Sequence, residues 1–247
     1  MQFGVIQEYR RSTLATPMML ECRSINTFYG ASHALFDVSI QVASGQMVCL
    51  IGRNGVGKST TLKSIMGLTP TTTGSVIFEG KDISALPSYR IARSGIGYVP
   101  EDRRIFADLT VQENIEIAER GSSPWNRSAI YELFPPLYEF RERRGGLLSG
   151  GQQQMLTIAR ALVGNPRLLL IDEPTEGLSP IVIQSLNEMI KSLKAKGQTI
   201  LLAAQDLRFC LNNADVLYVL DRGRVVYQAD RKLAPFDSDR IKAMLTV

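Results

Sequence analysis

The sequence is poor in the side chains that most often build metal and thiol sites: its 247 residues include one histidine and three cysteines. A zinc site with several histidine ligands is therefore excluded, and His33, in YGASHAL, is predicted to be a loop residue without a serine partner. Cys22, Cys49 and Cys210 lie far apart in the chain and form no CxxC pair. We expect buried thiols in a reducing compartment such as the cytosol.

The sequence also lacks a long apolar run. Its main apolar stretches, MVCLI, LLLI and TILLAA, are too short to cross a membrane and are typical of buried strands. Any association with a membrane is therefore expected to be peripheral. The net charge is +4 without a polybasic tract, which gives little support for binding to nucleic acid or lipid.

The first 18 residues lack the apolar segment and cleavage pattern of a signal peptide. We expect a flexible extension over residues 1–18 and one domain over residues 19–247, because the strand-like stretch MLECRSI begins at Met19. A native extension, an expression tail and an upstream start codon are alternatives that the sequence leaves open. With 45% hydrophobic residues, the chain can bury the core of one large domain.

The spacing of apolar residues predicts an α/β fold. VSIQVASGQMVCLIG and GSVIFEGKDI cross glycine-containing turns and are predicted to form β-hairpins. Helical patterns then dominate and place a helical subdomain at about residues 102–164, where Pro135 and Pro136 should stop the helix of SAIYELF. LLLID, a helix over residues 180–196 with Ser179 as N-cap, TILLAA and a final hairpin, VLYVLDRGRVVYQ, complete a pattern typical of a parallel sheet.

A glycine-rich loop in the first third of the chain predicts a phosphate site. GRNGVGKS, residues 52–59, matches G-x-x-x-x-G-K-[ST] and stands between an apolar strand and a predicted helix, the context that this pattern requires. Backbone amides of such a loop surround a phosphate, Lys58 can reach the β- and γ-phosphate oxygens, and Ser59 can bind Mg²⁺. The predicted nucleotide contacts here are Gly52, Arg53, Asn54, Gly55, Val56, Gly57, Lys58, Ser59 and Thr60.

Two adjacent acids follow the apolar stretch LLLI. LLLIDEP, residues 168–174, places Asp172 at the end of a strand, at the sheet edge where α/β proteins bind ligands. Asp172 can therefore hold Mg²⁺ through water, while Glu173 points elsewhere and can accept a proton from an attacking water molecule. A solvated pair of acids would be the preferred interpretation if the phosphate loop were absent.

A second phosphate seat is predicted at LLSGGQQQMLTIAR, residues 147–160. Ser149, Gly150 and Gly151 stand in front of a helical pattern, with Gln152 close behind. The first amides of a helix lack partners within it and carry partial positive charge, so a bare start with small residues leaves room for an anion. The chain thus carries two candidate seats for phosphate.

In this order, GRNGVGKS, LSGGQ, LLLIDEP and VLYVLDRGRVV resemble the nucleotide-binding subunits of ATP-binding cassette (ABC) transporters over about residues 20–226. The resemblance implies a P-loop ATPase with a RecA-like parallel-sheet core, an N-terminal antiparallel β subdomain and a helical insertion, and it implies ATP and Mg²⁺ as ligands. In that family two subunits pair head to tail, and each LSGGQ caps the γ-phosphate that the partner binds. The second seat, Ser149 to Gln152, would therefore serve a neighbour's nucleotide.

The resemblance also implies roles for three further residues. Tyr29 corresponds to the aromatic residue that stacks on adenine, although a core tyrosine is equally compatible with the sequence. Glu101, in GYVPEDRRIF, takes the place of a glutamine beside the metal, where it would face Mg²⁺ or a basic group. Gln205 takes the place of a histidine that contacts the γ-phosphate, and its amide can donate a hydrogen bond but cannot carry positive charge. Glu173 and Gln205 are thus the expected catalytic residues.

VPEDRRIF, AAQDL and EGLSP are similar to one importer branch, the smaller ATPase subunits of branched-chain amino-acid transporters. This similarity implies a peripheral ATPase on the cytoplasmic face of the bacterial inner membrane. Its implied partners are transmembrane permease subunits, a second ATP-binding subunit and, in the assembled system, a periplasmic solute-binding protein. A heterodimer of ATP-binding subunits is favoured, with a homodimer as the alternative.

Related subunits of urea and aromatic-acid importers remain alternatives. A subunit that binds ATP while its partner hydrolyses it is another, favoured by Gln205 and Glu101 and opposed by the intact Asp172 and Glu173. A soluble ABC ATPase of DNA repair or chromosome organisation is disfavoured, because the phosphate loop and LSGGQ stand too close in the chain for a long coiled-coil insertion. No nucleic-acid partner is therefore expected.

Overall fold

The structure, a computed structural model, describes residues 17–121 and 123–246. In these ranges the strands are Met18–Tyr29 (β1), Ser32–Ala43 (β2), Met47–Ile51 (β3), Thr71–Phe78 (β4), Lys81–Asp82 (β5), Ile96–Val99 (β6), Leu168–Asp172 (β7), Thr199–Ala204 (β8), Val216–Asp221 (β9) and Arg224–Asp230 (β10). The α-helices are Lys58–Ile65 (α1), Ser88–Arg93 (α2), Val111–Glu116 (α3), Arg127–Leu133 (α4), Pro135–Glu139 (α5), Gly150–Val163 (α6), Pro180–Ala195 (α7), Leu207–Asn213 (α8) and Ser238–Leu245 (α9). The predicted α/β fold is confirmed.

Residues 1–16 of the extension predicted over residues 1–18 lie outside the described residues. Met18 belongs to β1, so the first strand begins one residue before the predicted start at Met19.

A central sheet joins six of the described strands in the order β10-β9-β3-β8-β7-β6. The strands from β9 to β6 run parallel, and β10 pairs antiparallel with β9. Every residue of β3, β7 and β8 is buried, including those at the strand ends, so these strands have no exposed face. A parallel sheet that is covered on both faces produces such unbroken apolar runs, and the predicted parallel core is confirmed.

Each face of the central sheet packs against a different layer. Leu50 and Leu201 share a cluster with side chains of β1, β2, β4 and α1, whereas Cys49 and Leu202 share a cluster with side chains of α6, α7 and α8. Neighbouring residues of one strand thus face opposite layers, as the alternation of side chains along a strand requires. The central sheet is the middle of three layers.

The N-terminal β layer is an antiparallel sheet in the order β2-β1-β4-β5, as predicted. β4 and β5 form the hairpin predicted for GSVIFEGKDI. The hairpin predicted for VSIQVASGQMVCLIG is wrong, because β2 pairs with β1 while β3 lies between β8 and β9 in the other sheet. Five consecutive buried residues in MVCLI suit a central parallel strand, whereas a surface hairpin would expose alternate residues.

The helical insertion lies between β6 and β7 and contains α3, α4, α5 and α6, with a short 3₁₀ helix at Gly145–Leu147. α4 ends at Leu133, before the two prolines, as predicted. The prolines also begin α5, because a proline in the first turn of a helix lacks only an amide that would have no partner there. None of the helices in residues 17–121 and 123–246 combines the length and the apolar character that a membrane span requires.

Two local predictions differ from the structure. His33 lies in β2 and not in a loop, because its ring stacks on Phe28 of the paired strand β1, with 4.0 Å between the ring centroids. Ser179 occupies the N-cap position of α7, but its side chain makes no capping hydrogen bond. Pro180 begins α7 as predicted, so the fixed backbone of proline helps to start this helix.

The carboxyl ends of four parallel strands meet at one edge of the central sheet. β3 leads into the glycine-rich loop, β6 leads towards Glu101, β7 ends at Asp172, and β8 leads into Gln205. Because these strands run in the same direction, residues from four distant parts of the sequence gather at this edge.

The three cysteines are buried and free, as predicted. Burial raises the pKa of the Cys22 thiol to about 12, and contact with Cys49, together with burial, raises the pKa of Cys210.

Since the thiolate is the reactive form, we expect the native protein at pH 8 to react very slowly with a colorimetric disulfide reagent. The chain unfolded in guanidinium should titrate all three thiols at once. A native thiol that reacts as fast as free glutathione would contradict this placement.

Candidate functional site

The glycine-rich loop connects β3 to α1 and needs glycine at several positions. Gly55 and Gly57 have φ angles of +80° and +110°, in the left-handed region that side chains disfavour. A β-carbon on Gly52 would lie 2.4 Å from the carbonyl oxygen of Leu220, so the loop approaches the end of β9 too closely for a side chain. Backbone geometry and close packing thus both require the glycines of this pattern.

Lys58, the first residue of α1, directs its side chain back towards the loop. It is 4% exposed, and its Nζ donates hydrogen bonds of 2.8 Å to the carbonyl oxygens of Gly52 and Arg53. Nζ also forms an ion pair of 3.0 Å with Oε1 of Glu173. A buried ammonium group therefore stands where an incoming phosphate could replace the carboxylate as its partner.

Glu173 follows β7 with a φ angle of +43°, an uncommon conformation for a residue with a side chain. Its Oε2 accepts a hydrogen bond of 3.0 Å from the backbone N–H of Gln205. Burial raises the pKa of Glu173, and the ion pair with Lys58 opposes this shift. A carboxylate whose Oε2 is held by an amide, and whose pKa burial raises, is suited to accept a proton at Oε1 when Lys58 takes another partner.

Asp172 is the last residue of β7 and is 1% exposed. Its Oδ1 accepts a hydrogen bond of 2.9 Å from Ser59 Oγ, and its Oδ2 accepts one of 3.1 Å from the hydroxyl of Tyr98. Burial raises the pKa of Asp172, whereas the hydrogen bonds from Ser59 and Tyr98 act in the opposite direction. Adjacent acids thus have separate partners: Asp172 contacts two hydroxyls, and Glu173 contacts an ammonium group and an amide.

Glu101 adds negative charge to the same region. Desolvation, followed by repulsion from Glu176 and Asp172, raises the pKa of Glu101, and the nearby Lys63 opposes the shift. A cation placed among these acids would lower their mutual repulsion. The expectation that Glu101 faces a metal or a basic group is consistent with this arrangement.

A cavity of about 330 Å³ opens at this edge of the sheet. It is lined by Asn54, Gly55, Gly57, Lys58, Ser59, Thr60, Glu101, Glu173 and Glu176. The loop amides and the buried ammonium group suit phosphate oxygens, and this volume lies in the range of ligand pockets. The predicted residues of the glycine-rich loop and the acids that follow β6 and β7 are therefore brought together.

The donor set also fits Mg²⁺. Ser59 and Asp172 present a hydroxyl and a carboxylate within one hydrogen bond of each other. The described residues contain no cluster of three or more His, Cys, Asp or Glu side chains placed to hold a metal ion. Mg²⁺ usually binds through one or two carboxylates together with water and substrate phosphates, so a full protein cage is not required.

Two predicted contacts lie at the rim of this region. Tyr29, at the end of β1, is 48% exposed, and its hydroxyl lies 3.4 Å from Thr60 Oγ1. It is therefore not a core tyrosine. Gln205 has an exposed side chain, and its backbone N–H is the group that contacts Glu173.

The open start predicted for α6 is wrong, because side chains of the same segment cap the helix. Ser149 Oγ accepts a hydrogen bond of 3.3 Å from the backbone N–H of Gln152, and Gln152 Oε1 accepts one of 2.9 Å from the backbone N–H of Ser149. This reciprocal capping box satisfies two amides, and the sequence pattern S-x-x-Q could have indicated it.

The two glycines of LSGGQ allow close packing at the start of α6. A β-carbon on Gly151 would lie 2.8 Å from Val182 Cγ1 of α7, and one on Gly150 would lie 2.7 Å from Arg103 Nη1. Of the described residues that line the 330 Å³ cavity, none belongs to LSGGQ. The second predicted phosphate seat is therefore separate from the first within one chain.

The sequence interpretation missed Tyr98 and Glu176. Glu176 lines the cavity three residues after Glu173 and could have been suspected from this proximity in DEPTEG. Tyr98 reaches Asp172 because β6 lies beside β7 in the sheet. Strand order is a property of the fold, so no local signal in GYVPE indicated this contact.

Comparisons with known proteins agree with this geometry. Residues 35–176 match the protein family described as ABC transporter. The chain is 44% identical over 201 residues to the high-affinity branched-chain amino acid transport ATP-binding protein BraG of Pseudomonas aeruginosa, with 80% of this chain and 86% of that protein covered. It is 38% identical over 202 residues to the probable branched-chain amino acid transport ATP-binding protein LivF of Archaeoglobus fulgidus, with the same coverage of 80% and 86%.

A solved structure with a similar fold is the dimeric post-hydrolysis state of the ATP-binding cassette MJ0796 bound to ADP and Pi. It superposes with a TM-score of 0.76 and 26% sequence identity, and the match covers 86% of this chain and 98% of that chain.

The close approach of Gly52 to β9 leads to a prediction. In Gly52→Ala the new methyl group would clash with the Leu220 carbonyl, so the loop must move, and we expect ATP affinity to fall about tenfold or more, which corresponds to about 1.4 kcal/mol. Calorimetric titration with ATP measures this change. The control is Gly197→Ala, where no atom lies within 4 Å of the new methyl group. Gly197 has a φ angle of +78° and lies outside the cavity, so this variant tests backbone strain without a clash, and ATP affinity should stay unchanged. Equal ATP affinity in both variants would contradict the packing argument.

Proposed function

Because the chain belongs to the ABC transporter family of ATP-binding subunits, we propose that it hydrolyses ATP to energise the import of branched-chain or related amino acids. The observation that carries the proposal is the cluster of Lys58, Asp172 and Glu173, which joins a phosphate loop to two acids with different partners. The likeness to BraG, whose name refers to branched-chain amino acid transport, supports the solute class.

Lys58 and the amides of the loop bind the phosphates of ATP in this proposal. Lys58 exchanges the carboxylate of Glu173 for phosphate oxygens, which also form charge-assisted hydrogen bonds with a buried ammonium group. Ser59 and Asp172 would hold Mg²⁺, with Glu101 as a further acid nearby. When bound, Mg²⁺ neutralises part of the phosphate charge.

Glu173 acts as the general base. The exchange at Lys58 releases Oε1, while the backbone N–H of Gln205 keeps Oε2 in place. Oε1 accepts a proton from a water molecule, whose oxygen bonds to the γ-phosphorus as the bond to the ADP oxygen breaks. The raised pKa of Glu173 favours this transfer, because a base is most effective when its pKa approaches the operating pH.

The two rim residues bind the ends of the nucleotide. The exposed ring of Tyr29 stacks on adenine, and because stacking reads the face of a base and not its edge, the preference for adenine should be modest. The exposed amide of Gln205 donates a hydrogen bond to a γ-phosphate oxygen.

A second subunit completes the site. LSGGQ does not contribute to the described lining of the cavity. The capping box uses the amides of Ser149 and Gln152, and the amides of Gly150 and Gly151 between them can cap a phosphate held by the partner. The dimeric ADP- and Pi-bound structure of MJ0796 supports such pairing. The partner is a second ATP-binding subunit; a heterodimer is favoured over a homodimer.

A groove beside the helical insertion supports contact with the membrane subunits. It consists of two adjoining cavities that share Tyr98, Ala118, Arg160 and Ala161, and we call it the lateral groove. Phe106, which is 44% exposed, packs against the guanidinium group of Arg160. A mixed apolar and basic groove suits a cytoplasmic segment of the transmembrane permease subunits.

In this proposal the chain is a peripheral subunit on the cytoplasmic face of the bacterial inner membrane. A periplasmic solute-binding protein delivers the amino acid to the permease, so the solute does not contact this chain. No nucleic acid takes part.

The proposal predicts the effect of Lys58→Ala. Loss of the ammonium group that binds the phosphates should lower ATP turnover of the assembled transporter by about 100-fold or more, and uptake of leucine into vesicles should fall with it. Lys232→Ala, which removes an exposed lysine outside the cavity, is the matched control and should leave both rates unchanged.

Circular dichroism should first show that both lysine variants are folded. Wild-type turnover by a folded Lys58→Ala complex would refute the ATPase mechanism. A wild-type complex that hydrolyses ATP without taking up leucine, isoleucine or valine would refute the solute class alone.

A further inference from the structure

Tyr98 lies on the strand next to Asp172. β6 and β7 pair in parallel with Tyr98 opposite Leu170, and Asp172 is two residues further along β7, on the same face as Leu170. The tyrosine side chain spans this diagonal, and its hydroxyl donates a hydrogen bond of 3.1 Å to Asp172 Oδ2. A phenylalanine would fill the same space but could not donate this bond.

The contact matters because Asp172 has almost no access to water. With 1% exposure, its oxygens depend on protein donors, and the described donors are the hydroxyls of Ser59 and Tyr98. In the proposed site Ser59 Oγ would offer a lone pair to Mg²⁺ while its O–H continues to donate to Oδ1. Tyr98 is the described donor to Oδ2, so it fixes the second oxygen and with it the rotation of the carboxylate.

We propose that Tyr98 is a positioning residue for the metal site: its hydroxyl holds Asp172 in the orientation that binds Mg²⁺. The inference rests on the proposed function, because that proposal assigns Mg²⁺ to Ser59 and Asp172. Partners that orient a metal-binding carboxylate commonly contribute 10- to 100-fold, as an order of magnitude, to metal affinity.

The test compares Tyr98→Phe with wild type by the fluorescence of an ATP analogue, without hydrolysis. Binding is first measured in EDTA and then as a function of Mg²⁺ concentration. In EDTA the two proteins should bind the analogue with equal affinity within about twofold, because the loop and Lys58 are unchanged. The Mg²⁺ concentration that gives half of the maximal increase in analogue binding should rise about tenfold or more in Tyr98→Phe.

Tyr218→Phe is the matched control. Tyr218 is a buried tyrosine of β9 whose hydroxyl accepts a hydrogen bond of 3.1 Å from the backbone N–H of Gln41, so this variant loses one buried hydrogen bond away from Asp172. It should lose a similar amount of thermal stability but keep the wild-type Mg²⁺ dependence. If Tyr218→Phe shows the same shift in Mg²⁺ dependence as Tyr98→Phe, the shift would reflect lost stability and not the contact with Asp172. That result would overturn the proposal.

The remaining outcomes separate this inference from the proposed function. A wild-type Mg²⁺ dependence in Tyr98→Phe would overturn the role of Tyr98 and leave the ATPase mechanism intact. A wild-type protein whose nucleotide binding does not respond to Mg²⁺ would overturn the metal site itself, and the role of Tyr98 with it.

Discussion

The buried ion pair between Lys58 and Glu173 constrains the rest of the site. The two residues are 4% and 7% exposed, and their charged atoms lie 3.0 Å apart, so each charge depends on the other for a partner. The pair joins the loop after β3 to the end of β7. A phosphate that attracts Lys58 leaves a buried carboxylate without its cation, which raises the affinity of Glu173 for a proton. Phosphate binding and proton acceptance are therefore linked through one electrostatic contact.

The same sheet edge keeps neighbouring acids in different roles. The left-handed backbone at Glu173 separates its side chain from that of Asp172, so one acid pairs with an ammonium group and the other with the hydroxyls of Ser59 and Tyr98. A hydrogen-bonded carboxylate beside a hydroxyl suits a metal ion, while a carboxylate that can lose its cation suits a proton. The ring of Tyr98 also lines the lateral groove, so the metal site and the surface proposed for the membrane subunits share one side chain.

The sequence predicts those parts of the fold and site that depend on local patterns. Continuous apolar runs indicated the parallel strands, and the loop at residues 52–59 and the acids after LLLI predicted a site at the sheet edge. The contact from Tyr98 was missed because it depends on β6 lying beside β7. The hairpin through MVCLI was wrong because the pairing partners of β3 are distant in the chain. The pattern S-x-x-Q at Ser149 and Gln152 is a local signal of a capping box, but this segment was interpreted as an open helix start.

The most direct test of the account is the steady-state ATP turnover of the assembled complex that carries Glu173→Gln. Glutamine keeps the size of the side chain but cannot accept the proton from water. The account predicts that ATP still binds while kcat falls by about 100-fold or more, the range expected for loss of a general base. Turnover near the wild-type rate would contradict it and would indicate a subunit that binds ATP while its partner performs the hydrolysis.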